Sequence, residues 1–120
     1  MPRVNIPVTT LSKTAATARP AGTTADATED HEVDVSFPLE ELVLEFTQTD
    51  ATARTYTIVA GDNPPALSAG QGNITQSVAQ NGVSLVAGLE SGRFLQSDGK
   101  LHIDLAASFA GTIRAYRIPR

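Results

Sequence analysis

The chain contains no cysteine and no tryptophan, and its 120 residues include only two tyrosines and four phenylalanines. Without cysteine, neither a disulfide nor a thiolate metal site can form, so stability must come from packing and assembly. The few aromatic residues leave little for stacking against sugars or single-stranded nucleic acid. A formal net charge of -4, with nine scattered Lys and Arg residues, argues against nucleic acid as a partner.

Long apolar segments are also missing. No run approaches the ~18 apolar residues of a membrane-spanning helix. The first residues, Met1-Pro2-Arg3-Val4-Asn5, lack the apolar core of a signal peptide. The sequence therefore predicts a soluble protein without a membrane partner, made and used without export. Its length fits one domain, which would bury roughly two-thirds of the extended chain's surface.

Two short runs, Leu42 to Gln48 and Thr55 to Ala60, alternate apolar with polar residues and predict neighbouring β-strands. Residues 49–53 between them are small and polar, which is typical of turns. We therefore expect the two strands to form an antiparallel hairpin with one buried face.

Turn signals separate further alternating runs along the chain. Asn81-Gly82 is typical of a hairpin turn, and so is Ser97-Asp98-Gly99, which we expect to join a strand at Phe94 to Gln96 to the run from Leu101 to Leu105. A long loop is predicted over residues 61–73. We count about eight or nine strands at spacings of roughly 8 to 12 residues, without a helical pattern longer than a turn. The sequence predicts an all-β fold, an antiparallel β-sandwich that is jelly-roll-like in preference to immunoglobulin-like. The predicted inward side chains are Leu42, Leu44, Phe46, Tyr56, Ile58, Leu85, Phe94, Leu101, Ile103, Leu105 and Ile113.

The N-terminal part of the chain differs from the rest. We predict an arm and an Ala/Thr-rich loop over residues 1–31, and the β-sandwich domain over residues 32–120. Val4, Ile6, Val8 and Leu11 are apolar enough to need a partner, whereas Pro7 restricts the segment to a sheet edge or a bulge. Two arrangements follow: an extended arm that adds to a sheet of another chain, or an edge strand within its own domain.

Two groups of residues carry side chains that could bind a cation or act as an acid and a base. Asp26, Glu29, Asp30, His31, Glu32 and Asp34 carry enough oxygen and imidazole for a cation, but they lack calcium-loop spacing. They predict a solvated loop with His31 exposed. His102 is expected on the face opposite the core, beside Asp104, where the two form a candidate acid–base pair. No serine or cysteine lies in a nucleophile elbow, so we predict no catalytic residue, no metal, no cofactor and no small-molecule substrate.

Several stretches together resemble a known family. They are Val4 to Leu11, the loop with Asp26-Ala27-Thr28 and His31, Leu42 to Thr49, Thr55 to Ile58, Gly92-Arg93-Phe94, Asp98 to Asp104 and Ile113 to Ile118. In order and spacing they are similar to the small head decoration, or cement, proteins of tailed bacteriophages.

The resemblance implies a β-sandwich that binds the outside of an expanded capsid, usually as a homotrimer near a three-fold position, and braces neighbouring subunits. It implies the major capsid protein as partner and the virion surface as location, after synthesis in the host cytoplasm. The residues expected to contact the capsid or another subunit are Val4, Ile6, Pro7, Val8 and Leu11. Other phage components of the tail or connector, a carbohydrate- or surface-binding module, and a small hydrolase are the alternatives.

Overall fold

The computed structural model describes residues 3–12, 14–61, 72–89, 91–96 and 99–118. Over these residues the protein is mostly β, with almost no helix, as predicted. A 3-10 helix covers Leu39–Glu41 and a one-turn helix, α1, covers Ser91–Phe94. The strands are β1 (Val4–Asn5), β2 (Val8–Thr10), β3 (Thr23–Thr24), β4 (His31–Asp34), β5 (Leu42–Gln48), β6 (Arg54–Ile58), β7 (Ile74–Val78), β8 (Gly82–Ala87), β9 (Lys100–Leu105) and β10 (Gly111–Arg117).

These strands form two sheets that pack together, as a β-sandwich requires. Sheet A has the order β1-β4-β9-β6-β7, and sheet B has the order β2-β10-β5-β8, with β3 also paired to β10. Both sheets are mixed, because β1 runs parallel to β4 and β2 runs parallel to β10. The wholly antiparallel arrangement that we predicted is therefore wrong at these two edges, and the jelly-roll connectivity is not confirmed.

The core lies between the sheets and follows the alternation of the strands. Ten of the eleven predicted inward side chains are buried, and Leu85 is the exception, with 67% of its surface exposed. Phe46 of sheet B and Tyr56 of sheet A stack at the centre, with their ring centroids 3.8 Å apart. The Tyr56 hydroxyl also lies 2.7 Å from the Ser84 hydroxyl on β8. This contact ties the two layers together.

The predicted hairpin between β5 and β6 is wrong, because the two strands belong to different sheets. Alternation fixes which face of a strand is buried, but it does not identify the neighbouring strand. The buried side chain of Gln48 supports the crossover. Its Nε2 donates to the carbonyl oxygens of Thr52 and Val78, both at 3.1 Å. These hydrogen bonds satisfy backbone carbonyl groups where the chain passes from sheet B to sheet A.

A turn forms at Asn81-Gly82, but the predicted hairpin is wrong, because this turn joins β7 of sheet A to β8 of sheet B. Asn81 has a positive φ of 60°, and the Gly82 N–H donates to the Ala79 carbonyl over 2.9 Å. The predicted strand at Phe94 to Gln96 is also wrong, since α1 ends at Phe94 and residues 95 and 96 are not in a strand. Residues 97 and 98 of the predicted Ser97-Asp98-Gly99 turn, and 62–71 of the predicted long loop, lie outside the described residues.

The N-terminal segment pairs within its own domain. β1 lies at the edge of sheet A, Ile6 is buried in the core, and β2 lies at the edge of sheet B. Pro7 stands where the chain passes from one sheet to the other, so neither sheet needs an N–H at that position. Of the two arrangements considered, this is the edge strand; the extended arm is not confirmed.

Candidate functional site

The five residues expected to contact a capsid or subunit lie along the crossing from sheet A to sheet B. Pro7 is exposed, Ile6 is buried, and Val4, Val8 and Leu11 are half-buried. A cleft of about 290 Å³ is lined partly by Ile6, Pro7 and Val8.

Phe37 and Arg117 also line this cleft. The Arg117 guanidinium lies 4.9 Å from the centre of the Phe37 ring, and its Nε donates to the Glu41 carboxylate over 2.8 Å. This cation is therefore held by contacts within the protein.

Acidic residues between Asp26 and Asp34, which were predicted to lie in a solvated loop, serve the fold. Asp26 Oδ1 accepts the backbone N–H groups of Thr28 and Glu29, and Asp30 Oδ1 accepts the N–H of Leu105. Glu32 pairs with Lys100 over 2.6 Å. Within the part of the chain that the structure describes, no group of His, Asp and Glu side chains is arranged to hold a metal ion.

The prediction that His31 is exposed is wrong. Its side chain is fully buried, because position 31 shares the inward face of β4 with Val33. Both ring nitrogens contact backbone groups, one in Val4 and one in Asp26. His31 is a residue whose role the sequence analysis missed.

His102 and Asp104 share the outer face of β9, as predicted, while Leu101, Ile103 and Leu105 point into the core. The Asp104 carboxylate accepts a hydrogen bond from the Arg3 guanidinium over 2.7 Å. Arg3 also donates to the carbonyl oxygens of His31 and Ile103. Asp104 thus anchors the first described residue to sheet A.

The outer face of sheet B carries a polar cluster of Arg19, Glu45, Arg114 and Tyr116. Tyr116 donates to Glu45 over 2.8 Å, and Arg19 reaches the same carboxylate at 3.1 Å. Burial raises the pKa of Glu45, but these two hydrogen bonds outweigh it and hold the pKa below the ordinary value. Arg114 is buried, and it donates to the carbonyl oxygens of Pro20 and Ala21. The cluster therefore fixes the segment around residue 20 over the sheet.

Beside this cluster, an apolar row runs along the outer face of β8. Val83 and Leu85 are 58% and 67% exposed, and Ala87 continues the row. Their neighbours on β5 are Thr47, Glu45 and Val43. Among the described residues, the only other large hydrophobic side chain with such exposure is Ile118 at 48%. The row, Val83, Leu85 and Ala87, is the surface best suited to contact another molecule.

The sequence prediction assigned Leu85 to the wrong side of β8. The two faces of the strand are Val83, Leu85 and Ala87 on one side, and Gly82, Ser84 and Val86 on the other. The more apolar face was expected inside. In the structure the face with Gly82, Ser84 and Val86 lies inward. Ser84 lies opposite Phe46 and bonds the Tyr56 hydroxyl, and a larger side chain at this position would collide with the stacked rings.

No helix in the described ranges is long and apolar enough to cross a membrane. No protein-family model, no curated protein and no solved structure matches the chain. The likeness to phage decoration proteins therefore stays a prediction from the sequence.

Proposed function

We propose that this protein is a structural virion component, a decoration or cement protein that binds the outside of a tailed-phage capsid and braces neighbouring subunits. The observation that carries the proposal is the apolar row on β8, since exposed apolar surface is typical of protein interaction sites. The resemblance in strand pattern and small-residue composition suggests the kind of partner.

β8 offers main-chain as well as side-chain contacts. It is the last strand in the order of sheet B, so its outer edge has no strand partner within the described ranges. None of its six residues is charged or proline, although charge and proline are common means by which edge strands avoid pairing. A strand of the partner can therefore add to β8 by main-chain hydrogen bonds, while Val83 and Leu85 are covered on one face.

The corresponding edge of sheet A is less suited to such a contact. Its last strand, β7, exposes the polar side chains of Thr75, Gln76 and Ser77. Burying polar groups without new hydrogen bonds costs free energy, whereas burying Val83 and Leu85 is favourable. We therefore assign the contact to β8.

The partners in this proposal are the major capsid protein and two further copies of the chain in a homotrimer, and the location is the virion surface. A 120-residue body gains little contact area from one capsid subunit. A symmetric assembly contacts several subunits at once, which can raise overall affinity by ~10² to 10⁴. A jelly-roll connectivity belongs to the same proposal, and the two-layer arrangement of the sheets supports it.

Co-sedimentation with capsid shells tests this function. The proposal expects a major capsid gene beside this gene, and shells assembled from its product should carry the wild-type protein into the pellet. Leu85→Lys places a charge in the middle of the apolar row and should weaken binding at least about tenfold, equivalent to about 1.4 kcal/mol. Circular dichroism should show an unchanged β spectrum for this variant, because the side chain is exposed.

Ser77→Lys is the matched control, since it adds the same charge to the exposed edge of the other sheet. It should bind shells as the wild type does. Equal binding by the two lysine variants would show that β8 does not contact the shell. Failure of the wild-type protein to sediment with the shells would contradict the proposed function itself.

A further inference from the structure

The buried imidazole of His31 connects three parts of the chain. His31 is the first residue of β4, with β1 on one side and β9 on the other, and its side chain is fully buried. In the strand register it lies beside Val4 of β1 and Ile103 of β9. The segment before β4 also contacts it through Asp26.

The hydrogen bonds of the ring define its protonation state. The backbone N–H of Asp26 donates to Nε2 over 2.9 Å, so Nε2 carries no proton. The other nitrogen, Nδ1, lies 3.2 Å from the Val4 carbonyl oxygen and must be the donor in that pair. The ring is therefore neutral, with its proton on Nδ1. Both of its partners belong to the N-terminal segments that pack on sheet A.

Several charged groups surround His31, and most of them have partners of their own. Asp26 and Asp30 accept backbone N–H groups, and Arg3 pairs with Asp104. The charged and titratable groups on the elements around the ring are Arg3 before β1, Asp26, Glu29 and Asp30 before β4, Glu32 and Asp34 on β4, and Lys100, His102 and Asp104 on β9.

We propose that His31 is an acid-sensitive latch for the N-terminal segments. Protonation of Nε2 removes the acceptor of the Asp26 N–H. Two donors, the Asp26 N–H and the new Nε2–H, then face each other without an acceptor. The segment around Asp26 must then move away, and the contact from the ring to Val4 weakens with it. Low pH therefore releases β1 and residues 26–30 from sheet A, while the strands β5, β10, β6 and β9 stay paired.

The direction of the pH effect follows from burial. Burial lowers the pKa of His31 from its ordinary value of 6.5, and the Val4 hydrogen bond and the charges of Asp26 and Asp30 oppose this change without reversing it. The released state, with a solvated ring, binds more protons than the latched state between the lowered pKa and 6.5. The neutral His31 ring therefore stabilises the latched state fully above pH 6.5, and this stabilisation is lost as the pH falls toward the lowered pKa. Within this window, opening should increase by up to about tenfold per pH unit.

Amide hydrogen exchange measured by NMR on the full chain tests the latch. Rates at about pH 7.5 and about pH 5, corrected for the intrinsic pH dependence of exchange, span the range in which histidine titrates. We expect protection of Val4, Ile6 and Asp26 to fall on acidification, by up to about tenfold for each pH unit within the titration window of His31. Protection of Phe46 and Ile113, which pair at the centre of sheet B, should not change.

His31→Gln separates the latch from general acid effects, because a glutamine can offer one acceptor and one donor but does not titrate in this range. Its N-terminal amides should respond little to pH. His102→Gln, which removes the other histidine, should keep the wild-type response. An equal acid response in His31→Gln and wild type would overturn the proposal.

A second measurement covers the case in which His31→Gln does not fold. The ¹⁵N shifts of the wild-type imidazole report the protonation of Nε2 directly. We expect them to titrate together with the loss of protection at Val4 and Asp26. Protonation of His31 without that loss, or the loss while His31 stays neutral, would contradict the latch.

Discussion

Replacing Gly111 with alanine is expected to destabilise the protein by about 3 to 5 kcal/mol, from the combined cost of a strained φ and of overpacking. Gly111 begins β10 with a φ of +131°, which L-residues rarely adopt. It lies opposite Gln48 at the end of β5, where the two strands approach closely. A Cβ at this position would overlap the Thr47 carbonyl oxygen and lie 2.8 Å from its carbon. The neighbouring group is backbone, so it cannot move aside without disturbing the pairing of β5 with β10.

Gly88→Ala is the matched control for Gly111→Ala. Gly88 also has a positive φ, +71°, but nothing lies within 4 Å of a Cβ added there. This variant should lose only about 1 to 2 kcal/mol, the cost of the left-handed conformation. Urea unfolding monitored by circular dichroism gives both values. An equal loss of unfolding free energy in the two variants would show that β10 does not approach the Thr47 backbone this closely.

Truncating Phe46 to alanine should cost about 3 to 5 kcal/mol of unfolding free energy, as is common for buried aromatic side chains. The Phe46 ring stacks on Tyr56 with an interplanar angle of 8°, so the substitution removes a central contact between the two sheets. It also leaves a cavity in a core where both rings are fully buried. A small domain has only about 5 to 15 kcal/mol of stability, so much of it would be lost.

Val43→Ala provides the comparison on the same strand. Val43 faces outward on β5 and is half-buried, so its truncation should cost about 1 kcal/mol or less. Thermal and urea unfolding of both variants measure the difference. Similar stabilities for Phe46→Ala and Val43→Ala would show that Phe46 does not lie between the sheets.

The alternation of side chains was a reliable guide to burial but not to pairing. In β5, β6 and β9 the apolar positions predicted from the sequence are the buried ones. The partner of each strand depends on contacts between distant residues, which a local pattern does not contain. The short segment 49–53 therefore looked like a hairpin turn, although the side chain of Gln48 guides it across to the other sheet.

The burial predictions for Leu85 and His31 failed for different reasons. Leu85 was placed inside because the more apolar face of β8 was expected there, whereas the stacked rings need the small Ser84 on the inner face. His31 was placed outside because it follows an acidic loop. The alternation of β4 already contained the right signal, since His31 and Val33 are two residues apart and share a face.

Contact through β8 is the central claim, and cryo-electron microscopy of capsid shells incubated with the protein tests it most directly. The shells should be assembled from the product of the major capsid gene that the proposal expects beside this gene. We predict additional density on the outer surface, into which the two-sheet domain fits with Val83 and Leu85 covered and β8 alongside a strand of a neighbouring subunit. Shells without additional density, or a bound domain whose β8 faces solvent, would contradict the claim.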